Sequence, residues 1–217
     1  ASLHDEDNDS IFDTVIVVTN RVVLDSQLQD TINSFDHTPG LVEAIDDKKR
    51  SRGLVDAIND KKRIIICTVQ KFLFAYKDFD TLAGRKFAII IDEAHNVLST
   101  ASERESQTWK DYRLETFEEI IKEGRKFGTF LTISSQRPSD ISETIISQLH
   151  NYFIHRLVNN EDIRAIGKAV AFIDNTSYEM ISVLPQGACI FTGVASNFPV
   201  LVQVDLLPKN KQPQSTT

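Results

Sequence analysis

The sequence predicts an α/β fold in which helices cover both faces of a mostly parallel, doubly wound sheet. Two observations carry this prediction. Short continuous runs of β-branched residues, such as 14–19, 63–67 and 87–91, recur without polar alternation, which is typical of strands buried on both faces. Helical patterns lie between these runs, so that strands and helices alternate along the chain.

The predicted elements follow in order along the chain. After the strand at 14–19 we expect a helix near 22–35, strands at 63–67 and 87–91, a helix at 112–127, a strand at 129–133, a helix at 142–149, a strand at 152–154 and a helix at 161–171. Asp111 and Asn160 are the expected caps of two helices. The late apolar runs 188–192 and 200–204 either extend the sheet or form a hairpin around Asn197 and Pro199.

Composition predicts one domain of ordinary size. With 217 residues and 41% hydrophobic content, we expect a domain over residues 12–206 between an acidic segment 1–11 and a disordered tail 207–217. No window approaches the roughly 20 apolar residues of a membrane span, so we expect a cytoplasmic protein without a membrane partner. The net charge of −7 neither supports nor excludes DNA binding. Cys67 and Cys189 lie in apolar runs and are expected to be buried thiols.

A two-copy repeat lies at residues 41–50 and 54–63. Its spacing predicts two small amphipathic helices, because two copies are too few for a solenoid. The basic ends of the copies either contact phosphates or complement the dipoles of the helices. Residues 99–110 show little apolar periodicity and are expected to form a mobile loop.

An apolar strand ends in two adjacent carboxylates, Asp92 and Glu93, followed by Ala94 and His95. In nucleotide-hydrolysing sheets the first acid lies near magnesium, and the second orients the attacking water or accepts its proton. We predict these roles for Asp92 and Glu93. The alternative is an acidic helix start in which both carboxylates only complement the helix dipole. His95 either couples the nucleotide site to neighbouring loops or is an ordinary histidine at a helix start.

Two further segments carry candidate residues. Gln136 and Arg137 follow the strand at 129–133, and on a strand adjacent to that of Asp92 the Gln136 amide would sense the γ-phosphate. The alternative is a plain strand-to-turn junction. Arg125 lies before Gly128 at a helix end, where it is either an arginine finger that acts on a neighbouring subunit or a cation that complements the helix dipole.

A glycine-rich phosphate loop is absent from this sequence. Such a loop needs Gly-x-x-x-x-Gly-Lys-Ser/Thr, because only glycine lets backbone N–H groups close around phosphates while lysine reaches them. The Gly167-Lys168 pair is followed by Ala169 and lies in a helical pattern. We therefore expect the isolated chain to bind ATP and magnesium weakly or not at all.

Residues from about 12 to 95 resemble the motor subunit of type I restriction enzymes, a helicase-type translocase. The resemblance rests on residues 15–28, on residues 64–72 and on the Asp-Glu-Ala-His box at 92–95. It implies that the first two segments lie beside a DNA track. The candidate DNA-contacting residues are therefore Arg21, Thr68, Gln70 and Lys71.

Residues from about 89 to 206 resemble the C-terminal part of HerA-type hexameric DNA translocases, relatives of FtsK-like motors. The matching motifs are residues 91–98, 123–128, 134–138, 156–162 and 184–188. The resemblance implies a RecA-like P-loop NTPase core that hydrolyses ATP between subunits. It makes Arg125 the residue that acts in trans and Gln136 the sensor, with His95, Arg137 and Arg156 as further candidates near the nucleotide or the subunit interface.

The two resemblances meet at the box 92–95, which indicates a fusion, a recombined gene or a chimera. In either family the glycine-rich loop would lie upstream of Ala1. The sequence thus supports two hypotheses: part of an ATP-dependent DNA translocase, or a non-catalytic interaction module that keeps the fold. The implied cofactors are ATP and Mg²⁺. The implied partners are double-stranded DNA, further copies of the chain in a hexamer, or a nuclease in a restriction complex.

Overall fold

The computed structural model describes residues 4, 6–20, 42–45, 52–82, 84–100, 106–171, 173–206 and 208. Three predicted features lie outside the described residues: Arg21, the helix at 22–35 and the tail 207–217 except for residue 208. The chain forms two compact units, residues 1–135 and residues 136–217. Within the described residues, no helix has both the length and the apolar character needed to cross a bilayer.

The first unit contains a five-stranded parallel sheet, which confirms the predicted α/β class. Its strands are β1 (Thr14–Thr19), β2 (Val42–Ala44), β3 (Ile64–Thr68), β4 (Phe87–Ile91) and β5 (Thr129–Ile133). They lie side by side in the order β2-β3-β1-β4-β5, and each adjacent pair is parallel. Since parallel strands share one direction, all five carboxyl ends lie along one edge of the sheet, here called the carboxyl edge. The opposite edge is called the amino edge.

Within the described residues, the α-helices of the first unit are α1 (Arg52–Asn59), α2 (Val69–Tyr76), α3 (Ala94–Val97) and α4 (Gln107–Glu123). Phe72 of α2 stacks on Phe117 of α4, with ring centroids 5.8 Å apart, and both side chains are fully buried. Helix α4 begins earlier than predicted, because the Ser106 side chain accepts from Trp109 N and caps it, whereas Asp111 lies inside the helix. The expected loop at 99–110 therefore ends before Gln107, and its residues 101–105 lie outside the described part.

The described residues of the two repeat copies fold differently, which corrects the prediction that both copies form a helix. The second copy contains most of α1, whereas the first contains β2, which pairs in parallel with β3. The exposed edge of β3 offers hydrogen bonds to the first copy, and Ile45 N continues the pairing by donating to Ile66 O at 3.0 Å. Local sequence preference is weak, and tertiary pairing overrides it here.

The second unit contains a three-stranded antiparallel sheet of β6 (Asn151–His155), β7 (Ala188–Gly193) and β8 (Ser196–Gln203). The prediction that β6 belongs to the buried parallel strands was wrong: β6 pairs antiparallel with β7, and its side chains alternate between exposed and buried. The late runs form the predicted hairpin, but it turns at 193–196 rather than around Asn197 and Pro199. Gly193 permits this turn, because its φ of 136° suits glycine.

The described part of the second unit also contains the α-helices α5 (Glu143–Gln148), α6 (Asn160–Ala169) and α7 (Asn175–Met180). Helix α6 is capped by Asn159, whose side chain accepts from Glu161 N, and not by Asn160 as expected. Tyr152 donates to Ile146 O at 2.7 Å, and burial raises the pKa of its hydroxyl. Cys189 of β7 and Cys67 of β3 are both buried, as predicted.

Candidate functional site

The Asp-Glu-Ala-His box lies at the carboxyl edge of the five-stranded sheet, between the ends of β1 and β5. Asp92 directly follows β4, and its N–H donates to Val18 O of β1 at 3.3 Å. On the other side, Ser134 N at the end of β5 donates to Ile91 O at 2.9 Å. Because both neighbouring strands hold the chain at this point, the two carboxylates are fixed where strand β4 ends. Both side chains are half-buried.

Glu93 has a left-handed backbone conformation, with φ 49° and ψ 45°. This conformation costs a residue with a Cβ about 1–2 kcal/mol. The turn is held because Ala94 N donates to Ser134 O at 2.9 Å and Asn96 N donates to Glu93 O at 2.8 Å, which begins α3. Strained backbone of this kind is found where surrounding structure over-determines it, often at functional sites.

His95 connects Glu93 to the end of β5. Its Nε2 lies 3.2 Å from Glu93 Oε2, and its Nδ1 lies 3.1 Å from Ser135 Oγ. With the proton on Nε2, the imidazole donates to the carboxylate and accepts from the Ser135 hydroxyl. The His95 side chain is only 10% exposed, so water competes little for these bonds. His95 thus connects Glu93, the carboxylate predicted to activate water, to the end of β5, which leads into the predicted sensor Gln136.

Two residues of this site were not predicted in these roles. Ser135 belongs to the motif 134–138 and to the predicted strand-to-turn junction, but the sequence gives no signal that its hydroxyl meets His95. Arg113 of α4 is fully buried, and its Nη2 donates to Ser99 O at 3.1 Å. This bond fixes the segment that follows α3. A single arginine in a helical pattern carries no sign of burial, and only the packing of α4 reveals it.

Arg125 lies at the opposite edge of the sheet from Asp92 and Glu93. It belongs to a 3₁₀ turn, Gly124–Phe127, that precedes β5 at the amino edge, and its side chain is exposed. The five residues of β5 span about 16 Å at roughly 3.3 Å per residue. Arg125 is therefore about a strand length from the carboxylates of its own chain, and its predicted action on the nucleotide of a second subunit stays a prediction.

The predicted sensor segment opens the second unit. Gln136 is its first residue, and both Gln136 and Arg137 are exposed. The turn after them is anchored, because Ser139 donates through both its N–H and its hydroxyl to Asp162 Oδ1 of α6, at 3.0 and 2.7 Å. Arg137 forms an ion pair with Asp140 at 3.4 Å, and Arg156, after β6, is exposed.

The candidate DNA-contacting residues within the described part lie at the carboxyl end of β3. Thr68 is buried at the start of α2, whereas Gln70 is exposed. Lys71 Nζ donates to Ile45 O at 2.8 Å and so attaches α2 to the segment after β2. Gln70 is therefore the residue of this set most available to a ligand. The roles of Thr68, Gln70 and Lys71 in DNA contact stay predictions, as does that of Arg21.

The chain is similar in sequence to an ATPase family and to DNA helicases. The sequence profile of the SWI2/SNF2 ATPase family matches residues 3–164. The DNA double-strand break repair helicase HerA of Saccharolobus solfataricus is 33% identical over 142 residues, which are 64% of this chain and 27% of that protein. HerA of Pyrococcus furiosus is 32% identical over 116 residues, covering 54% of this chain and 20% of that protein. The chain thus spans about a quarter of the length of these relatives.

Solved structures show the same fold. The genome packaging NTPase B204 from Sulfolobus turreted icosahedral virus 2, in complex with AMPPCP, superposes with a TM-score of 0.55 at 16% identity and covers 91% of this chain and 100% of that chain. The structure of the same NTPase with ATP-gammaS gives a TM-score of 0.54 and covers 89% of this chain and 98% of that chain. The predicted P-loop NTPase fold and the HerA resemblance are confirmed by these similarities. The resemblance to restriction-enzyme motors stays a prediction.

Proposed function

Because this chain belongs to the SWI2/SNF2 ATPase family, we propose that it supplies the magnesium-binding and water-activating part of an ATP-driven DNA translocase. The observation that carries the proposal is the chain of contacts from Glu93 through His95 to Ser135 at the ends of β4 and β5. It ties the candidate catalytic carboxylate to the next strand of the sheet. The similarity to HerA helicases supports DNA as the substrate.

Asp92 and Glu93 take different roles in this proposal. Mg²⁺ is normally held by one or two carboxylates together with phosphate oxygens and waters, so that a half-buried Asp92 fits as its protein ligand. Within the described residues no group of three or more His, Cys, Asp or Glu forms a cage of its own, which suits an ion that arrives with a nucleotide. Glu93 then orients water or accepts its proton, while His95 holds the carboxylate in place.

The finer features of the proposal concern assembly and partners. We propose that Arg125 acts on a nucleotide held by a second copy, since it lies at the amino edge, a strand length from its own Asp92. Gln136 senses the γ-phosphate, and Arg137 and Arg156 contribute at the interface. Double-stranded DNA is the proposed partner, within a homo-oligomer such as a hexamer or within a restriction complex.

Glu93→Gln tests this proposal directly. In a polypeptide that joins this chain to a Gly-x-x-x-x-Gly-Lys-Ser/Thr segment, we expect ATP binding to persist and turnover to fall by about 10²–10⁴-fold, the usual loss of a general base. Glu118→Gln on α4 is the matched control and should leave turnover unchanged. Equal turnover in both variants would exclude Glu93 from the mechanism and favour the second hypothesis, a non-catalytic interaction module.

A further inference from the structure

A buried carboxylate is bonded to the turn that carries the predicted sensor Gln136. Asp162, in the first turn of α6, is only 4% exposed. Its Oδ1 accepts two hydrogen bonds from Ser139, one from the N–H at 3.0 Å and one from the hydroxyl at 2.7 Å. Ser139 lies in the 3₁₀ turn Pro138–Asp140, directly after the sensor segment, and residues 136–140 are here called the sensor turn. The carboxylate therefore fixes the backbone close to the sensor.

The start of α6 determines the place of this carboxylate. Asn159 caps the helix by accepting from Glu161 N at 2.9 Å, and Ile163 N donates to Asn159 O at 3.1 Å. A negative charge in the first turn of a helix is favoured by the helix dipole. The neighbouring acid Glu161 is exposed and pairs with Arg164 of the same helix at 2.8 Å. Of the two acids in this turn, Asp162 is thus the buried one that bonds to the sensor turn.

Other contacts hold the sensor turn with less directional precision. Pro138 and the following Ile141 are buried, and apolar packing of this kind is not directional. The ion pair of Arg137 and Asp140, at 3.4 Å, lies within the turn itself, and ion pairs exposed to this degree contribute little. Hydrogen bonds to an ionised carboxylate are directional and stronger than neutral ones. The bonds to Asp162 therefore define the position of the turn against α6.

A buried carboxylate is a poor choice where stability alone is needed. Taking a carboxylate out of water costs free energy that its hydrogen bonds must offset, and an apolar pair of similar volume often stabilises a fold as well or better. Ser139 is itself exposed, so its contact with Asp162 adds little apolar burial. What the contact supplies is a defined position for the sensor turn.

We propose that Asp162 is a positioning residue that holds Gln136 in the place where it senses the γ-phosphate. This inference rests on the proposed sensor role of Gln136 and names the group that fixes it. Side chains that act in hydrolysis need supporting groups that hold them to within about 0.5 Å, and a displacement of about 1 Å can lower the rate strongly. Asp162 makes no contact with the nucleotide in this proposal and acts through Ser139 and the backbone of the sensor turn.

Amide hydrogen exchange followed by NMR tests the contact on this chain without nucleotide. Asp162→Ala removes both bonds, and we expect the Ser139 N–H to exchange about ten-fold faster relative to the N–H of Ile190, a buried residue of β7 that reports the fold of the unit. Asp162→Asn keeps an oxygen that accepts both bonds and should keep the protection. Glu161→Ala is the matched control and should leave the exchange of Ser139 unchanged. Equal protection in Asp162→Ala and wild type would overturn the proposal.

Steady-state hydrolysis by the joined polypeptide of the Glu93→Gln test measures the positioning role itself. We expect Asp162→Ala to lower kcat about ten-fold or more with an unchanged KM for ATP, because a misplaced sensor weakens contacts made in the transition state and not ATP binding. Ser139→Ala removes only the hydroxyl bond and should lower kcat less. Asp162→Asn should retain most of the turnover and Glu161→Ala all of it. Adding Asp162→Ala to Gln136→Ala should lower kcat no further, because no sensor is left to position.

Four results would contradict this inference. Asp162→Ala could turn over like Glu161→Ala, its effect could multiply with that of Gln136→Ala, or Asp162→Asn could protect Ser139 and yet be as slow as Asp162→Ala. Full turnover of Gln136→Ala would also overturn it, because there would be no sensor to hold. These outcomes are separate from the proposed water activation: if Glu93→Gln left turnover unchanged while Asp162→Ala lowered it through Gln136, the role of Glu93 would fail and the positioning role would stand.

Discussion

The left-handed backbone of Glu93 makes a prediction about stability that does not depend on catalysis. Glu93→Gly and Glu93→Ala both remove the carboxylate and its contact with His95, so these losses cancel when the two variants are compared. Glycine also removes the cost of about 1–2 kcal/mol that a Cβ imposes at φ 49°. Against this, glycine loses roughly 0.5–1 kcal/mol more backbone entropy on folding than alanine. Glu93→Gly should therefore be more stable than Glu93→Ala by about 0.5–1 kcal/mol.

Thermal unfolding followed by circular dichroism measures this difference. For a chain of this size 1 kcal/mol shifts Tm by about 2–4 °C, so we expect the glycine variant to melt about 2 °C above the alanine variant. Glu119 provides the control, because it is exposed in the interior of α4. There the sign reverses, and Glu119→Gly should be about 1 kcal/mol less stable than Glu119→Ala. A Glu93→Gly variant that melts at or below Glu93→Ala would refute the strained backbone and, with it, the fixed position of the carboxylate.

Three further predictions follow from the structure. Gly128→Ala should destabilise the chain by more than the about 1–2 kcal/mol that a Cβ costs at a positive φ, because that Cβ would also lie 2.3 Å from Arg85 O. Gly84→Ala is the control: a Cβ there meets nothing within 4 Å and should show the cost of the positive φ alone. Urea titrations of both variants measure the difference. Hydrogen bonds from Ser177 N and Oγ to the Asp174 carboxylate lower the pKa of Asp174 below its ordinary value of 3.8. The ionised carboxylate therefore stabilises the folded chain, by capping α7, at pH values above 3.8, and this stabilisation is lost as the pH falls through the lowered pKa. An NMR titration midpoint at or above 3.8 would contradict this. In an assembled motor, Arg125→Ala should reduce hydrolysis about 10³-fold or more, and mixing with Glu93→Gln subunits should restore activity; mixed assemblies without rescue would leave Arg125 a capping cation.

The sequence predicts the parallel sheet well because buried strands have a distinct composition. Strands β1, β4 and β5 coincide with the predicted runs, and β3 is displaced by one residue. The runs of β1, β3 and β4 are mostly apolar, which is typical of parallel strands covered by helices, whereas β5 exposes Phe130 and Thr132. The carboxylates at the end of β4 were predicted for the same reason: polar residues that directly follow a buried strand must lie at the edge of the sheet.

Elements that depend on a distant partner could not be predicted in this way. The two copies of the repeat are nearly identical, yet one contains a strand, because β3 offers it an edge to pair with. Strand β6 has an apolar sequence like the others, but its neighbour is the later strand β7 and its direction is antiparallel. The predicted caps Asp111 and Asn160 lie within α4 and α6, because Ser106 accepts from Trp109 N and Asn159 accepts from Glu161 N, so that both helices begin earlier.

The contact between His95 and Ser135 shows where local inference about the site ends. The two residues are 40 positions apart, and their contact depends on β4 and β5 being neighbours in the sheet. The pattern predicts two parallel strands that each end in polar residues, but it does not determine which strands are adjacent. Once the pairing is known, the contact follows, because Ile91 faces Ile133 in the register and the two turns leave the sheet at the same level.

The placement of Glu93 and Arg125 at opposite edges of one sheet bears on how a motor built from this chain would work. A strand length of about 16 Å separates the two edges, which is beyond the reach of an arginine side chain toward its own nucleotide. If both residues act on the same phosphate, they belong to different copies, and hydrolysis requires assembly. Turnover per chain should then rise with protein concentration before it reaches a plateau. It should stay constant if a single chain is sufficient, and dilution of the joined polypeptide distinguishes these cases without any substitution.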